Sequence, residues 1–220
     1  MRQKATADLC LSRVDINLAH VGYEDWRRNM EEVHADLIHC VTPGIKVLFR
    51  MEDEDDRRAV RSVIVQTTGG TPDWEHLSQR RNGMIVGKPL VKEASVEFGV
   101  GETFGFRLLG NAVRRRGRRV RQQYSLPQCE PIKDFEGQAE WLKRQGDLHG
   151  FRVQGFQNNG AESIPVKRKN GSSFSVWCVR YDGILVVTDP AKFANAVKNG
   201  IGRCRSFGCG LLSLRMLAQA

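Results

Sequence analysis

The residues best suited to hold a ligand lie near the end of this 220-residue chain, where glycines and arginines are interleaved. Two Gly-apolar-Gly triplets enclose five residues there, and we call residues 200–210 the glycine loop. Glycine lacks a Cβ, so such a loop can adopt conformations closed to other residues and bring its N–H groups close to a ligand. The arginines indicate an anionic ligand, most simply a phosphate. The alternative is a tight turn into a last strand, which requires only one or two glycines. The predicted contact residues are Gly200, Gly202, Arg203, Arg205, Ser206, Gly208 and Gly210.

A histidine in the first half of the chain, His34, is the candidate for proton transfer. Imidazole titrates near neutral pH, so a histidine can serve as a general acid or a general base. On an ideal helix His34 borders the apolar stripe of Met30, Val33 and Leu37, which would place it beside a groove. Glu31 lies one turn earlier and is expected to orient His34 or raise its basicity. From spacing alone, a surface or half-buried helix histidine is the alternative.

The net charge of +9 is unevenly distributed along the chain. Residues 1–111 contain 15 Lys and Arg against 17 Asp and Glu, a balance of −2, whereas residues 112–220 contain 19 against 8, a balance of +11. A nearly neutral half joined to a strongly basic half indicates a polyanionic partner held mainly by the second half. Nucleic acid is the better prediction, because no basic amphipathic helix with a bulky apolar face points to an anionic membrane.

Basic side chains outside the glycine loop are candidates for nucleic-acid phosphate contacts. Five arginines occur within residues 114–119, and a second basic group occupies residues 167–169. A run of charge is often only a solvated surface, but arginine forks also suit phosphate oxygens and guanine edges. The predicted nucleic-acid-binding cations are Arg27, Arg28, Arg114, Arg115, Arg116, Arg118, Arg119, Lys167, Arg168 and Lys169.

Several other functions lack their sequence signatures. The chain has no GxxxxGK[ST] motif, no dinucleotide fingerprint after a first strand and no HExxH motif, and its six cysteines include no CxxC pair. We therefore expect neither a metal nor a cofactor, and six free thiols in a reducing compartment. No apolar run approaches the roughly 20 residues that span a bilayer, and the N-terminus lacks a signal-peptide core. We expect a cytoplasmic protein with no membrane partner.

The order of predicted elements indicates an α+β fold with two tandem ferredoxin-like (RRM-like) domains, each βαββαβ. We place these domains at residues 1–111 and 117–220. In the first domain we expect strands at 9–18, 45–50, 61–67 and 102–109, and helices at 24–41 and 72–79. In the second we expect strands at 118–126, 150–157, 174–180, 183–188 and 208–214, helices at 135–145 and 190–199, and a long loop or mobile hairpin at 158–173. The glycine loop would then join the last helix to the last strand.

The chain resembles the CRISPR-associated RAMP proteins and, within them, the CasE-type endoribonucleases that process CRISPR repeat RNA. The most specific match is GIGRCRSFGCGLLSL at residues 200–214. Supporting matches are FRLLGN at 106–111, AEWL at 139–142 and YDGILVVTDP at 181–190, in the expected order. The first helix of this family carries a histidine that takes part in cleavage, and the match places it at His34.

This resemblance implies a metal-independent endoribonuclease that cleaves CRISPR precursor RNA at the repeat stem-loop. The 2′-hydroxyl would attack the phosphorus and leave a 2′,3′-cyclic phosphate and a 5′-hydroxyl, aided by a base, an acid and cations. The enzyme would retain the mature crRNA through the 3′ stem-loop of that RNA, as a subunit of a Cascade-type surveillance complex. There it would contact other subunits, including a backbone RAMP subunit. The alternative is a non-catalytic crRNA-binding RAMP subunit of such a complex.

Two positions depart from the family pattern. Several members carry a tyrosine three residues before the histidine, where this chain has Glu31, so the second catalytic group is open. Tyr23 could replace that tyrosine if the start of the helix folds back, and His20 and His39 are reserve histidines. The family loop commonly has Pro-x-Lys after its second glycine, whereas residues 203–205 here are Arg-Cys-Arg, which keeps one cation and adds another.

Overall fold

The structure is a computed structural model that describes residues 4–118, 122, 128–167 and 171–217. It contains two four-stranded antiparallel sheets and one short two-stranded ribbon. The strands are β1 (Lys4–Asn17), β2 (Lys46–Asp55), β3 (Val60–Thr68), β4 (Leu90–Gly99), β5 (Thr103–Gly110), β6 (Val113–Arg115), β7 (Cys129–Pro131), β8 (Phe151–Lys167), β9 (Ser173–Val187) and β10 (Leu212–Met216). The helices are α1 (Tyr23–Arg27), α2 (Met30–His39), α3 (Trp74–Arg80), α4 (Phe135–His149) and α5 (Pro190–Asn199), with a 3-10 helix at Arg205–Phe207.

Both sheets have the ferredoxin-like strand order. The first sheet is ordered β2-β3-β1-β4 and the second β10-β5-β9-β8. If the strands of each sheet are numbered 1 to 4 along the chain, both sheets have the order 4-1-3-2. Helices follow the first and third strand of each sheet, which gives βαββαβ twice. The predicted α+β architecture of two tandem ferredoxin-like domains is confirmed. Among the described residues, no helix is long and apolar enough to cross a membrane.

The strand expected to complete the first sheet belongs to the second sheet instead. Residues Thr103–Gly110 pair with β9 and β10, whereas β1 pairs with β4, which the sequence did not predict. Strand β4 forms an exposed edge and carries Lys92, Glu93 and Glu97, so it lacks the apolar alternation of a half-buried strand. The chain therefore passes between sheets at residues 100–102, ahead of the expected division at 111–117. The strand expected at 118–126 lies almost entirely outside the described residues.

The helix expected at 24–41 is two helices. Helix α1 ends at Arg27, and α2 begins at Met30 after the cap residue Asn29. The Asn29 side chain accepts a hydrogen bond from the Glu32 N–H at 3.3 Å, which favours a new helix start over continuation. Arg27 therefore ends α1 and does not belong to the helix that carries Glu31 and His34.

Most of the expected loop at 158–173 is β-structure. Strand β8 continues to Lys167 and pairs with β9 as far as Ser173, with register shifts at 153/155 and 158/161. Such shifts bend a hairpin. The distal part of this hairpin contributes Val166, Val176 and Cys178 to the core beneath α2. The loop alternative of the prediction was wrong and the hairpin alternative agrees with the structure. Most polar side chains at 157–163 are exposed on the strand, so in the sequence they resemble a loop.

The two sheets share their hydrophobic cores. The core between the second sheet and helices α4 and α5 includes Ala7 and Phe98 from the first sheet, and the Phe98 ring meets Phe193 edge-on at 4.9 Å. The core beneath α2 in turn includes Leu109 and Cys209 from the second half. Apolar burial of this kind is the main favourable contribution to folding, so the halves stabilise each other.

An ion-pair network also joins the sheets. Arg50 of β2 is buried and pairs with Glu52 at 2.5 Å. Glu52 accepts a second bond from Arg107 of β5 at 2.8 Å, and Arg107 pairs with Asp182 of β9 at 2.6 Å. The acidic segment at 52–56 therefore contributes Glu52 to a contact between the sheets.

Candidate nucleic-acid interface

Helix α2 is fixed by a buried carboxylate. Asp36 is fully buried and accepts hydrogen bonds from Arg80 Nε at 2.5 Å, Arg81 Nε at 2.8 Å and Trp26 Nε1 at 2.9 Å. Arg81 also pairs with Glu32, one turn earlier on α2. These bonds tie α2 to α1 and to the end of α3, and they set the orientation of the helix face that carries His34.

His34 lies where α2 meets the glycine loop. Its ring is half-buried, with its centroid 6.1 Å from that of Phe49 on β2. The same Phe49 ring packs under Gly208, where a Cβ would lie 3.4 Å from Phe49 Cε2. Burial lowers the pKa of His34 below its usual range, which favours the neutral imidazole. The structure thus brings a neutral histidine from the first half next to the loop from the second.

Glu31 lies on α2 with one carboxylate oxygen buried and unpaired. Its Oε2 has no hydrogen-bond partner among the described residues. Within the same part of the chain, no hydrogen bond joins Glu31 to His34, so the expected orienting contact is not seen. A buried oxygen without a donor is a site where a ligand hydroxyl or amine can bind favourably.

The glycine loop requires glycine at all four of its predicted positions. The φ angles of Gly200, Gly202, Gly208 and Gly210 are +77°, +77°, +85° and +88°. A Cβ on Gly210 would also lie only 2.7 Å from the Ile201 carbonyl oxygen. The two triplets are joined by a hydrogen bond from the Ile201 N–H to the Gly210 oxygen at 2.9 Å. The loop is therefore a closed structure and not a simple turn into β10.

The outer part of the loop offers backbone donors. Among the described residues, the N–H groups of Gly202, Arg203 and Cys204 have no backbone partner. Arg203 and Ser206 are exposed beside them. Successive free N–H groups in a turn with a left-handed residue, here Cys204 at φ +60°, can bind an anion.

The two loop arginines have different surroundings. Arg205 donates through Nε to the Gly202 oxygen at 3.1 Å and through Nη1 to the Asn199 oxygen at 2.6 Å. Arg205 therefore braces the loop against the end of α5 and keeps one hydrogen on Nη1 and two on Nη2 for a ligand. Arg203 is exposed and contacts Cys129 Sγ through Nη1 at 3.0 Å, on the ribbon formed by β6 and β7.

The arginine run lies on that ribbon. Arg115 is paired in register with Cys129, the residue that Arg203 contacts. Arg114 and Arg116 both pair with Glu130, while Arg115 and Arg118 are exposed. The ribbon and the glycine loop thus form one basic surface. The predicted residues Arg119, Arg168 and Lys169 lie outside the described residues.

Arg27 and Arg28 lie on the other side of the loop. They line a small cavity of about 90 Å³ together with Phe207 and Gly208. Both pair with Glu24, at 2.8 Å and 3.0 Å. Lys167 is exposed at the end of β8, which borders α2. The interface residues are therefore found on both sides of the glycine loop.

Two titratable side chains near Arg205, those of Lys46 and His149, were not predicted. Lys46, at the start of β2, donates to Asn199 Oδ1 at 3.0 Å. Burial and the charge of Arg205 lower the pKa of Lys46, and the same two causes lower the pKa of His149. Their approach to the loop depends on how the two halves pack, and the local sequence carries no signal of it.

The reserve candidates make structural contacts elsewhere. The Tyr23 hydroxyl donates to Glu54 Oε1 at 2.6 Å, and burial followed by this carboxylate raises the pKa of Tyr23 to about 12. His20 contacts the Asn82 oxygen and accepts from the Gly22 N–H. His39 is exposed and its Nδ1 contacts the Ala35 oxygen at 2.6 Å. Of the four candidates His20, Tyr23, His34 and His39, His34 is the one that packs beside the glycine loop.

The fold and site define a tandem ferredoxin-like protein whose glycine loop packs on a histidine-bearing helix. A family model described as CRISPR associated protein matches residues 9–216, and the chain belongs to this family. It is 28% identical over 211 residues to the Cascade subunit CasE of Escherichia coli K12, covering 87% of this chain and 94% of the relative. It is 26% identical over 208 residues to the endoribonuclease Cse3 of Thermus thermophilus, covering 84% and 90%. The structure of Thermus thermophilus Cse3 bound to an RNA representing a pre-cleavage complex matches with a TM-score of 0.80 at 23% identity, covering 94% of this chain and 99% of that one.

Proposed function

We propose that this chain is an endoribonuclease that cleaves CRISPR precursor RNA at the repeat stem-loop and retains the mature crRNA as a Cascade subunit. The observation that carries the proposal is the junction at Phe49, where His34 and the glycine loop meet. The relatives add support, because one is named a Cascade subunit and the other a CRISPR-associated endoribonuclease. Its partners are the 3′ stem-loop of crRNA and other Cascade subunits, including a backbone RAMP subunit.

The proposed chemistry is metal-independent transesterification. The RNA 2′-hydroxyl attacks the adjacent phosphorus, the 5′ oxygen leaves, and the products carry a 2′,3′-cyclic phosphate and a 5′-hydroxyl. The lowered pKa of His34 supports a base role, because the neutral imidazole can accept the 2′ proton at pH 7. The free N–H groups at 202–204 and the Arg203 guanidinium would stabilise the charge that develops on the phosphoryl oxygens.

Glu31 is the second proposed catalytic group. Its unpaired Oε2 is an acceptor for an RNA hydroxyl, and a substrate 2′-hydroxyl that donates to it would be held close to His34. A carboxylate cannot replace the phenol of a family tyrosine as a proton donor at neutral pH unless it is protonated. Positioning of the 2′-hydroxyl is therefore the role that fits its chemistry.

RNA phosphates are proposed to follow the basic surface on both sides of the loop. Arg115, Arg118 and Arg203 are exposed on one side, and Arg27 and Arg28 line the cavity on the other. Arg114, Arg116 and Lys167 extend this surface, with Arg119, Arg168 and Lys169 assigned to it from the sequence. Gly200, Gly202, Gly208 and Gly210 shape the loop, Arg205 braces it, and Ser206 is an exposed hydroxyl beside it. Each phosphate contact would steepen the salt dependence of RNA affinity.

A non-catalytic crRNA-binding subunit is the second candidate. The observation that favours it is Glu31, which stands where several family members have a tyrosine and which makes no hydrogen bond to His34. Such a protein would use the same basic surface and would bind the repeat without cleaving it.

One experiment separates these functions. The wild-type protein, His34→Ala and His39→Ala are incubated with the cognate repeat RNA in EDTA, and the product ends are identified. His39 is the matched control because it is an exposed histidine on the same helix. We expect cleavage by wild type and His39→Ala, a loss of roughly 10²-fold or more in His34→Ala with RNA binding kept, and cyclic phosphate ends. Wild type that binds the repeat without cutting it would establish the second candidate instead.

A further inference from the structure

Four of the six cysteines gather at the base of the glycine loop. Cys204 and Cys209 belong to the loop, Cys178 lies on β9 beneath it, and Cys129 contacts Arg203. The Sγ atoms of Cys178 and Cys209 are only 2.9 Å apart, and both residues are fully buried. The described His, Cys, Asp and Glu residues form no cluster of three that could hold a metal. Sulfur chemistry is therefore the reactivity that this arrangement offers.

The Cys178–Cys209 contact is preorganised for a disulfide. The sulfurs already point at each other, and a covalent bond of about 2.05 Å needs only a small further approach. Cys209 is flanked by Gly208 and Gly210, both at positive φ. Because glycine has wide backbone freedom, small φ and ψ changes at these two residues can accommodate the movement of Cys209. Simple packing of two small apolar side chains would not require their sulfur atoms to approach to 2.9 Å.

The same burial keeps the pair reduced in the closed structure. The contact with Cys178, followed by burial, raises the pKa of Cys209 well above that of a free thiol. The thiolate is the reactive form, so attack requires the loop to open. Cys204 is partly exposed, although burial and then Cys178 raise its pKa. A small oxidant is favoured over a bulky disulfide because the space around the two sulfurs is filled.

We propose that Cys178 and Cys209 form a reversible oxidation site for hydroperoxides that fastens the glycine loop to β9. Peroxide oxidises one thiol to a sulfenic acid and is itself reduced to water. The second thiol attacks this sulfur, a second water leaves, and the disulfide forms. Overall, two thiols and one hydrogen peroxide give one disulfide and two waters. A thiol reductant reverses the bond by exchange.

The bond would change the properties of the loop. The two cysteines are 31 residues apart, so the disulfide closes a chain segment that includes α5 and most of the glycine loop. Cross-links of this length stabilise mainly by restricting the unfolded chain. We expect the melting temperature of the oxidised protein to rise by roughly 5 °C or more.

The test uses the full-length wild-type protein and hydrogen peroxide. After treatment, free thiols are blocked with N-ethylmaleimide and the protein is digested with trypsin without reductant. Trypsin releases Cys178 in residues 170–180 and Cys209 in residues 206–215, whereas Cys204 leaves in residues 204–205, so each pairing has its own mass. We expect the 170–180 and 206–215 peptides joined by one disulfide and separated by dithiothreitol.

Matched variants identify the pair. Cys204→Ala and Cys129→Ala should retain the cross-link and the rise in melting temperature, and Cys209→Ala and Cys178→Ala should lose both. Because the pairing is read in the wild-type protein, poor folding of one variant does not decide the result. Oxidation of Cys129 shows that the peroxide has acted. If Cys178 and Cys209 then both remain free thiols, or if either is linked to Cys204, the proposal is overturned.

Discussion

The glycine loop and helix α2 meet at the same phenylalanine, yet they are held by different interactions. The loop is closed by backbone bonds, from Ile201 to Gly210 and from Gly210 to Leu109, at 2.9 Å and 2.8 Å. Helix α2 is held by the side chain of Asp36, which binds three donors from α1 and from the end of α3. The glycine loop therefore depends on glycine at four positions, whereas α2 depends on the buried charge of Asp36.

This difference determines how each region responds to mutation. A backbone-held loop tolerates changes in its exposed side chains but not in its glycines, because a Cβ at positive φ is strained wherever it points. A helix held by a buried ion network tolerates surface changes but not the loss of its central charge, because the partners are then left unpaired. Two pairs of variants test this difference in tolerance directly. One pair replaces two carboxylates of α2, and the other replaces two glycines that both have positive φ.

The largest effect is expected from Asp36→Ala. It leaves two arginines and the Trp26 N–H without their common acceptor, and loss of one partner of a buried ion pair costs about 3–5 kcal/mol. The control is Glu32→Ala on the same helix, which removes a partly exposed partner of the same Arg81 and should cost about 1 kcal/mol or less. Urea unfolding measures both. Equal costs for the two variants would show that Asp36 does not anchor α2.

Gly210→Ala is expected to have the next largest effect. Its Cβ would meet the Ile201 oxygen at 2.7 Å and Arg205 Cγ at 3.0 Å, at φ +88°. Gly101 is a matched control, with φ +87° and no atom within 4 Å of a Cβ. The strained conformation costs about 1–3 kcal/mol in both variants, and only Gly210→Ala adds a clash that opens the loop. Unfolding free energies and repeat-RNA affinities should therefore differ between them, and equal RNA affinity would count against a closed loop.

The sequence could predict the loop but not its surroundings. Four glycines at fixed spacing directly indicate positive φ angles, and the structure has one at each. The sequence could also indicate the element order, because apolar alternation and helix caps are local signals. It misplaced Thr103–Gly110, whose strand character was correct, because the choice of sheet depends on distant partners in β9 and β10.

The features around His34 were less accessible to sequence reasoning. The break before Met30 depends on one asparagine cap, and the extension of β8 to Lys167 depends on packing against α2. Arg205 had the expected charge, but two of its donors bind the carbonyls of Gly202 in the loop and of Asn199 at the end of α5. A residue type predicts what a side chain can bind, whereas the folded surroundings decide what it does bind.

The two loop arginines test whether charge or bracing matters. Arg205→Lys keeps the charge but cannot donate to both the Gly202 and Asn199 oxygens in the same way, so we expect RNA affinity to fall about 10-fold with an unchanged salt slope, for a cost of about 1.4 kcal/mol. Arg203→Gln removes an exposed charge, and we expect the salt slope to decrease by about one phosphate contact. Affinity titrations at several salt concentrations separate the effects. Wild-type affinity in Arg205→Lys would indicate a role as a simple cation.

The smallest effect is the contribution of His34 to pH-dependent stability. Because burial lowers its folded pKa below the unfolded value of about 6.5, the unfolded chain binds more protons between these two values. Stability should therefore rise with pH through that interval and level off above it, with the reverse loss on acidification. Urea midpoints at about pH 5.5 and about pH 7.5 should differ less in His34→Gln than in wild type. His149→Gln should remove a separate part, because burial also lowers the pKa of His149. If the urea midpoints of His34→Gln differed between the two pH values as much as those of wild type, the His34 imidazole would be as well solvated in the folded protein as in the unfolded chain. That result would contradict the neutral base required beside the glycine loop.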